Sequence, residues 1–199
     1  SDTEVMLYIF EYYGIEDGLK KLRGMFAAGL WDEVEKKMYL FRDRSGEKPL
    51  YFGHINSSLY FASETSFFQK IDQNLTLSPD GVNLYFAQGN IPAPYSIYKN
   101  IFKVMPGQLL EFITPEKYSS SFYWKLAVNN SSNHKKSFQE NADEFETLFL
   151  SSVEEQMVAD VSLGAFLSGG LDSSAVVSAM QEISPRRVET YSIGFAEDD

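Results

Sequence analysis

The chain has 199 residues, with 17 Lys and Arg against 28 Asp and Glu, so its formal charge is −11 at pH 7. A hydrophobic share of 44% argues against wholesale disorder and leaves room for one domain or parts of two. The acidic balance argues against nucleic acid as a partner, and the absence of cysteine removes disulfides, thiolate metal sites and any nucleophilic thiol from these residues.

Ser1 and Glu4 have the spacing of a capping box, and Val5, Met6, Ile9, Phe10 and Tyr13 follow at helical intervals. A helix is therefore expected from the first residues to about Gly14. With no initiator Met before it, this is the pattern expected of a chain that starts inside a longer protein. Met25 to Trp31 and Met38 to Phe41 are apolar and aromatic runs split by a charged stretch, which predicts two antiparallel strands. Pro49 to Gly53 and Leu59 to Ser63 predict a second pair, with His54 to Ser57 as the turn and a short helix over 64–70. Ser78 before Pro79 opens a helix that runs to about Gln88, where Gly89 stops it. The prolines in Ile91 to Tyr95 impose an extended path. Gln108 to Ile113 and Ser121 to Trp124 are the last strands expected in this half.

Residues 129–136 have no apolar side chain, so a linker is expected over 129–137, between a first domain at 1–128 and a second beginning at 138. Phe138 to Val158 reads as an amphipathic helix with Phe145, Leu148, Phe149, Ser152 and Val153 on one face. An apolar stretch at Leu163 to Leu167, a helix over Asp172 to Glu182 and a strand-like Val188 to Ile193 predict the start of a parallel sheet. Two strands bury too little to stand alone, so the chain is expected to stop inside this second domain. No basic region followed by an apolar run opens the chain, and no apolar run reaches the roughly 20 residues of a membrane span. A protein without a membrane, cytoplasmic rather than secreted, is the expectation.

Ser168, Gly169, Gly170, Leu171, Asp172, Ser173 and Ser174 fall where the expected strand meets the following helix. Adjacent glycines let successive N–H groups converge on an anion, and the helix dipole points its positive end at the same spot. The serines add hydroxyl donors, and Asp172 suits a Mg²⁺ shared with phosphate oxygens. The predicted ligand is a polyphosphate. No lysine follows the glycines, so this is not the commoner phosphate loop that ends in Gly-Lys-Ser/Thr. His54 and His134 are isolated and predict no metal site, while Trp31 and Trp124 read as packing residues.

The run Ser168 to Ser174 resembles the pyrophosphate loop of the N-type ATP pyrophosphatases. Upstream, Gly24 to Ala27, Leu30 to Asp32, Arg42 to Tyr51 and Phe61 to Glu64 resemble the second half of a class II glutamine amidotransferase domain, in the form fused to the synthetase domain of glutamine-hydrolysing asparagine synthases. The implied fold is α+β followed by α/β: the C-terminal half of an Ntn-type glutaminase sandwich, then the start of a parallel-sheet adenine-nucleotide-binding domain. The implied chemistry uses ATP and Mg²⁺ to make asparagine from aspartate and glutamine. Asp2 would bind the α-amino group of glutamine. Leu167 and Ile193 would contact adenosine, and Ser168 to Ser174 would hold the pyrophosphate, with Asp172 near the metal. Arg42 and Asp43 look architectural. The family's N-terminal cysteine, its glutamine-carboxylate arginine and its oxyanion-hole Asn-Gly have no counterpart here, and their place is expected to precede Ser1, so this piece alone is expected to be inactive. The acceptor carboxylate stays open, with a sugar acid or a β-lactam precursor as alternatives to aspartate; so do a homodimer and a truncated, non-catalytic paralogue.

Overall fold

The computed structural model describes residues 1–128 and 136–194. Contacts divide the chain into two compact units, Ser1–Val128 and Asn129–Asp199. Most of the stretch expected to be the linker, 129–135, lies outside the described residues, and His134 with it.

In the first unit, α1 (Asp2–Tyr13) starts at a complete capping box: the Ser1 side chain accepts the Glu4 N–H, and the Glu4 side chain returns to the Ser1 backbone. Gly14 ends it and leads into a short helix, α2 (Ile15–Lys21), that the sequence pattern did not reveal. Strands β1 (Ala27–Asp32) and β2 (Lys37–Arg42) pair antiparallel, with Trp31 opposite Met38. Then come β3 (Tyr51–Ile55) and β4 (Ser58–Ala62), also antiparallel, followed by α3 (Thr65–Ile71) and α4 (Pro79–Gln88). β5 (Ile101–Lys103), β6 (Gln108–Phe112) and β7 (Tyr118–Phe122) complete the unit.

The strands form two sheets, ordered β1-β2-β6-β7 and β4-β3-β5. Period-2 alternation decides which residue meets which layer. On β2, Tyr39 and Phe41 face α1 and α2 and share a core with Phe10, Leu19, Leu109 and Tyr123, while Leu40 points the other way. Leu40 packs between the sheets with Leu50, Phe52, Val104, Leu110 and Phe112. A third cluster, Ile55, Phe68, Tyr98 and Ile101, lies where α3 covers the smaller sheet. The result is a helix–sheet–sheet–helix sandwich. Aromatic edges lock it, with Phe10 against Phe41 at 5.5 Å and Phe52 against Phe112 at 5.9 Å, both edge to face.

His54 corrects the sequence reading. It lies in β3, not in the turn, and its Nε2 meets the Pro115 carbonyl oxygen. The turn is narrower than expected because Asn56 and Ser57 alone adopt positive φ, at 50° and 59°, the two-residue hairpin that matches strand twist.

In the second unit, α5 (Phe138–Gln156) begins with a capping box between Ser137 and Glu140. β8 (Gly164–Phe166) and β9 (Glu189–Tyr191) pair in parallel, joined through α6 (Leu171–Ile183). Val153, Ala179 and Met180 form the core with Phe149, Leu150, Met157, Ala165 and Val188 around them. The face of α5 that becomes buried is therefore shifted from the expected one: Phe145 and Leu148 stay exposed, since α6 and two strands cover only part of the apolar stripe. Among the described residues, no helix is long and apolar enough to cross a membrane.

Candidate functional site

The second unit's site is built where β8 ends. The Leu167 N–H continues the parallel ladder by donating to the Tyr191 carbonyl at 2.8 Å, and the Ser192 hydroxyl donates to the Leu167 carbonyl at 2.5 Å. These bonds bring Leu167 and Ser192, with Ile193 next in the chain, to the C-terminal ends of adjacent parallel strands, where open α/β sheets place their ligands. Gly169 then takes φ +81°, which an L side chain adopts only with strain, and a Cβ built there meets nothing within 4 Å. The loop is thus open on that side.

Gly170 is the N-cap of α6 and offers no side chain, so no side-chain acceptor caps the first-turn N–H groups. The serines point their hydrogens elsewhere. Ser173 and Ser174 both donate to the Gly170 carbonyl, at 3.1 and 2.8 Å, and Ser168 Oγ lies 3.0 Å from Ser173 Oγ. The arrangement leaves the N-terminal amides of α6 free to receive an anion at the positive end of a 13-residue helix, with the exposed Asp172 in the same turn. A single carboxylate suits Mg²⁺, which keeps most of its water and completes its shell from phosphate oxygens. Among the described residues, no cluster of three or more His, Asp or Glu could hold a metal ion without such a ligand.

Asp2 belongs to a different place. In the first unit it lines a cleft of about 300 Å³ with Thr3, Met6, Phe26, Lys48 and Ser63. Its Oδ1 accepts the Thr3 N–H at 2.8 Å, and among the described residues nothing donates to Oδ2. That oxygen is available to a small ammonium group. Phe26, Lys48 and Ser63 fall in runs that carried the family resemblance, but their meeting in one cleft was not legible, because segments at 2–6, 25–28, 48–49 and 63 share no local pattern and only the fold brings them to one lip.

Beneath the cleft, Arg42 and Asp43 are fully engaged with backbone. The Asp43 carboxylate, 1% exposed, accepts N–H groups from Phe26, Ser45, Glu47 and Lys48 at 3.0–3.3 Å. The Arg42 guanidinium donates to the carbonyls of Lys48 at 2.7 Å, Val104 at 2.9 Å and Gly46, and burial pushes its pKa down. Tyr123 closes the group by donating its hydroxyl to the Arg42 carbonyl at 2.7 Å. Burial, then the Asp43 charge, pushes that phenol up to about 12. None of these groups is turned to a ligand. Trp31 is half exposed and its indole N–H donates to Glu33, while Trp124 packs against the core under α1.

Comparison with known families follows the same division. The family model described as "Glutamine amidotransferase domain" matches residues 1–124, and that described as "Asparagine synthase" matches residues 144–199. The chain belongs to the family that joins these two domains. Within this amidotransferase and synthase family, a protein of Methanocaldococcus jannaschii is 38% identical over 98% of this chain and 38% of its own length. Asparagine synthetase [glutamine-hydrolyzing] 1 of Bacillus subtilis is 33% identical over 98% of this chain and 30% of its own length. The chain thus spans roughly a third of the length of the curated relatives it matches. Among solved structures, the glutamine phosphoribosylpyrophosphate amidotransferase of B. subtilis aligns over 96% of this chain and 38% of that one, at 18% identity and a TM-score of 0.45.

Proposed function

We propose that the protein carrying this chain is a glutamine-dependent asparagine synthetase of the cytoplasm. In this reading residues 1–128 belong to its glutaminase domain, 129–137 join the domains, and 138–199 begin the ATP-pyrophosphatase domain. The observation that carries the reading is the uncapped N-terminus of α6 behind the Ser168 to Ser174 loop, at the ends of a parallel strand pair. The amidotransferase match over 1–124 and the synthase match over 144–199 support two linked reactions, in which glutamine is hydrolysed to glutamate and ammonia in the first domain and the ammonia is used in the second.

Asp2 would hold the α-ammonium of glutamine in the first-unit cleft, by charge and through its unoccupied Oδ2. In the second domain the side-chain carboxylate of aspartate attacks the α-phosphorus of ATP, the bond to the β-phosphate breaks, and β-aspartyl-AMP and pyrophosphate form. Ammonia then displaces AMP and leaves asparagine. The first-turn amides of α6 stabilise the leaving pyrophosphate because they are fixed before the charge develops. Asp172 would hold Mg²⁺, which would supply charge neutralisation there. Leu167 and Ile193, at the strand ends, would flank the adenosine.

The test is exchange of labelled pyrophosphate into ATP by the full-length protein. Exchange that requires aspartate, and that Gly169→Val abolishes, is the expected result. Exchange that ignores aspartate but responds to a sugar acid or a β-lactam precursor would replace the acceptor, and no exchange with any carboxylate would reject the reading.

A further inference from the structure

Asp43 touches no ligand, yet the Asp2 cleft is built on it. One wall of the cleft is the start of β1, with Phe26, Ala27 and Ala28; the other is Lys48 with Pro49. A single oxygen, Asp43 Oδ2, accepts the N–H of Phe26 at 3.3 Å and that of Lys48 at 3.0 Å. Each wall is also tied through its second backbone group. The Phe26 carbonyl accepts the Asp43 N–H at 2.8 Å, and the Lys48 carbonyl accepts Arg42 Nε at 2.7 Å. Oδ1 meanwhile holds the intervening loop through Ser45 and Glu47, at 3.1 and 3.0 Å. Four donors on one buried carboxylate form a rigid unit, because charge-assisted bonds in a low dielectric resist displacement.

We propose that Asp43 is a positioning residue for the Asp2 cleft, fixing the separation of its two walls by holding Phe26 and Lys48 on one carboxylate oxygen. The proposal rests on the reading of that cleft as the glutamine site. A residue needed only for folding would lower stability and every activity together. A residue that sets cleft width acts first on glutamine, because a displacement of an ångström at a binding wall weakens productive binding strongly while leaving remote chemistry alone.

Asp43→Asn in the full-length protein tests this, since it leaves one acceptor oxygen for four N–H groups and sets an NH₂ among them. We expect the KM for glutamine to rise about tenfold or more, by the misplacement argument, while asparagine formation from added ammonia stays within about twofold. An unchanged glutamine KM overturns the proposal, as does an equal fall in glutamine- and ammonia-dependent synthesis. Asp2→Asn is the parallel arm: if it leaves the glutamine KM unchanged, the glutamine reading of the cleft is wrong, whatever Asp43→Asn does. If Asp43→Asn fails to fold, Lys48→Pro against Lys48→Ala isolates one donor, since only the proline removes the N–H bonded to Oδ2. A higher glutamine KM for the proline than for the alanine is then expected, and equal values overturn the proposal.

Discussion

Two polar loops, one in each unit, use similar residues to opposite ends. The loop 42–49 holds Arg, Asp, Ser, Gly, Glu and Lys, and it largely satisfies itself on backbone within and beside it: the Asp43 carboxylate takes four N–H groups and the Arg42 guanidinium donates to three carbonyls, while Arg44 Nε is buried without a partner among the described residues. The loop 168–174 holds Ser, Gly, Leu and Asp and leaves the first turn of its helix without a side-chain cap, the Ser173 and Ser174 hydroxyls spent on the Gly170 carbonyl and Ser168 Oγ accepting the Gly170 N–H. Charged residues in the first loop are support; small residues in the second leave an open helix end, the receptor of the proposed function. What separates them is not polarity but satisfaction, because a buried polar group without a partner is costly and an exposed one waits for a ligand.

The largest effect should come from breaking the self-satisfied loop. Asp43→Ala would leave four backbone N–H groups without their acceptor and the neighbouring Arg42 without its counter-charge. Removing one member of a buried charged network typically costs about 3–5 kcal/mol. Urea unfolding of the chain is the measurement, with the loss read as a lowered midpoint in the first unit. A loss under about 1 kcal/mol, the worth of one ordinary hydrogen bond, would show that the loop does not depend on its carboxylate.

The open loop should behave in the reverse way. Gly169→Ala forces a Cβ into φ +81° although no neighbouring atom stands within 4 Å of it. The cost to folding is therefore conformational only, about 1–2 kcal/mol. Relaxing that strain swings the following amides, so calorimetric titration with Mg-pyrophosphate should show an affinity loss of about tenfold or more for a misplacement of this kind. If binding survives while stability falls by the full amount, the amides of α6 are not the receptor.

How much of this was legible beforehand depends on whether the signal is local. Helix starts were, because Ser1 with Glu4 and Ser78 with Pro79 act within one turn. The turn over 168–174 was legible as a strand–Gly-Gly–helix sequence. Strand β5 was not: three residues among proline-rich segments carry no periodicity, and their pairing to β3 joins Gly53 to Ile101 across the chain. His54 was misplaced because the two-residue turn needs positive φ at both Asn56 and Ser57, and while Asn takes it readily, Ser57 in place of the usual glycine hides the signal. Phe145 and Leu148 were assigned to a buried face because the pattern marks an apolar stripe, not what covers it. The Asp2 cleft depends on four separated segments and on a carboxylate behind them. The residues Arg42 to Tyr51 stood out in the sequence, but the reason for them is tertiary.

The smallest effect separates the two loops by pH. Tyr123 is tied to the self-satisfied loop through its 2.7 Å bond to the Arg42 carbonyl, and no tyrosine stands in the open one. Tyr123→Phe removes that one neutral hydrogen bond and should cost about 1 kcal/mol near neutral pH. Its pH signature is more specific. The phenol pKa is raised from 10.0 to about 12 in the folded protein, so the folded state keeps its proton where the unfolded chain has lost it. A raised pKa contributes stability that is fully present below pH 10 and is lost as pH rises towards 12. The native protein should therefore lose stability across that window, and Tyr123→Phe should flatten this part of the curve in denaturant titrations at successive pH values. A slope unchanged by the substitution would place the alkaline loss elsewhere and show that burial, with the Asp43 charge behind it, does not hold the Tyr123 proton.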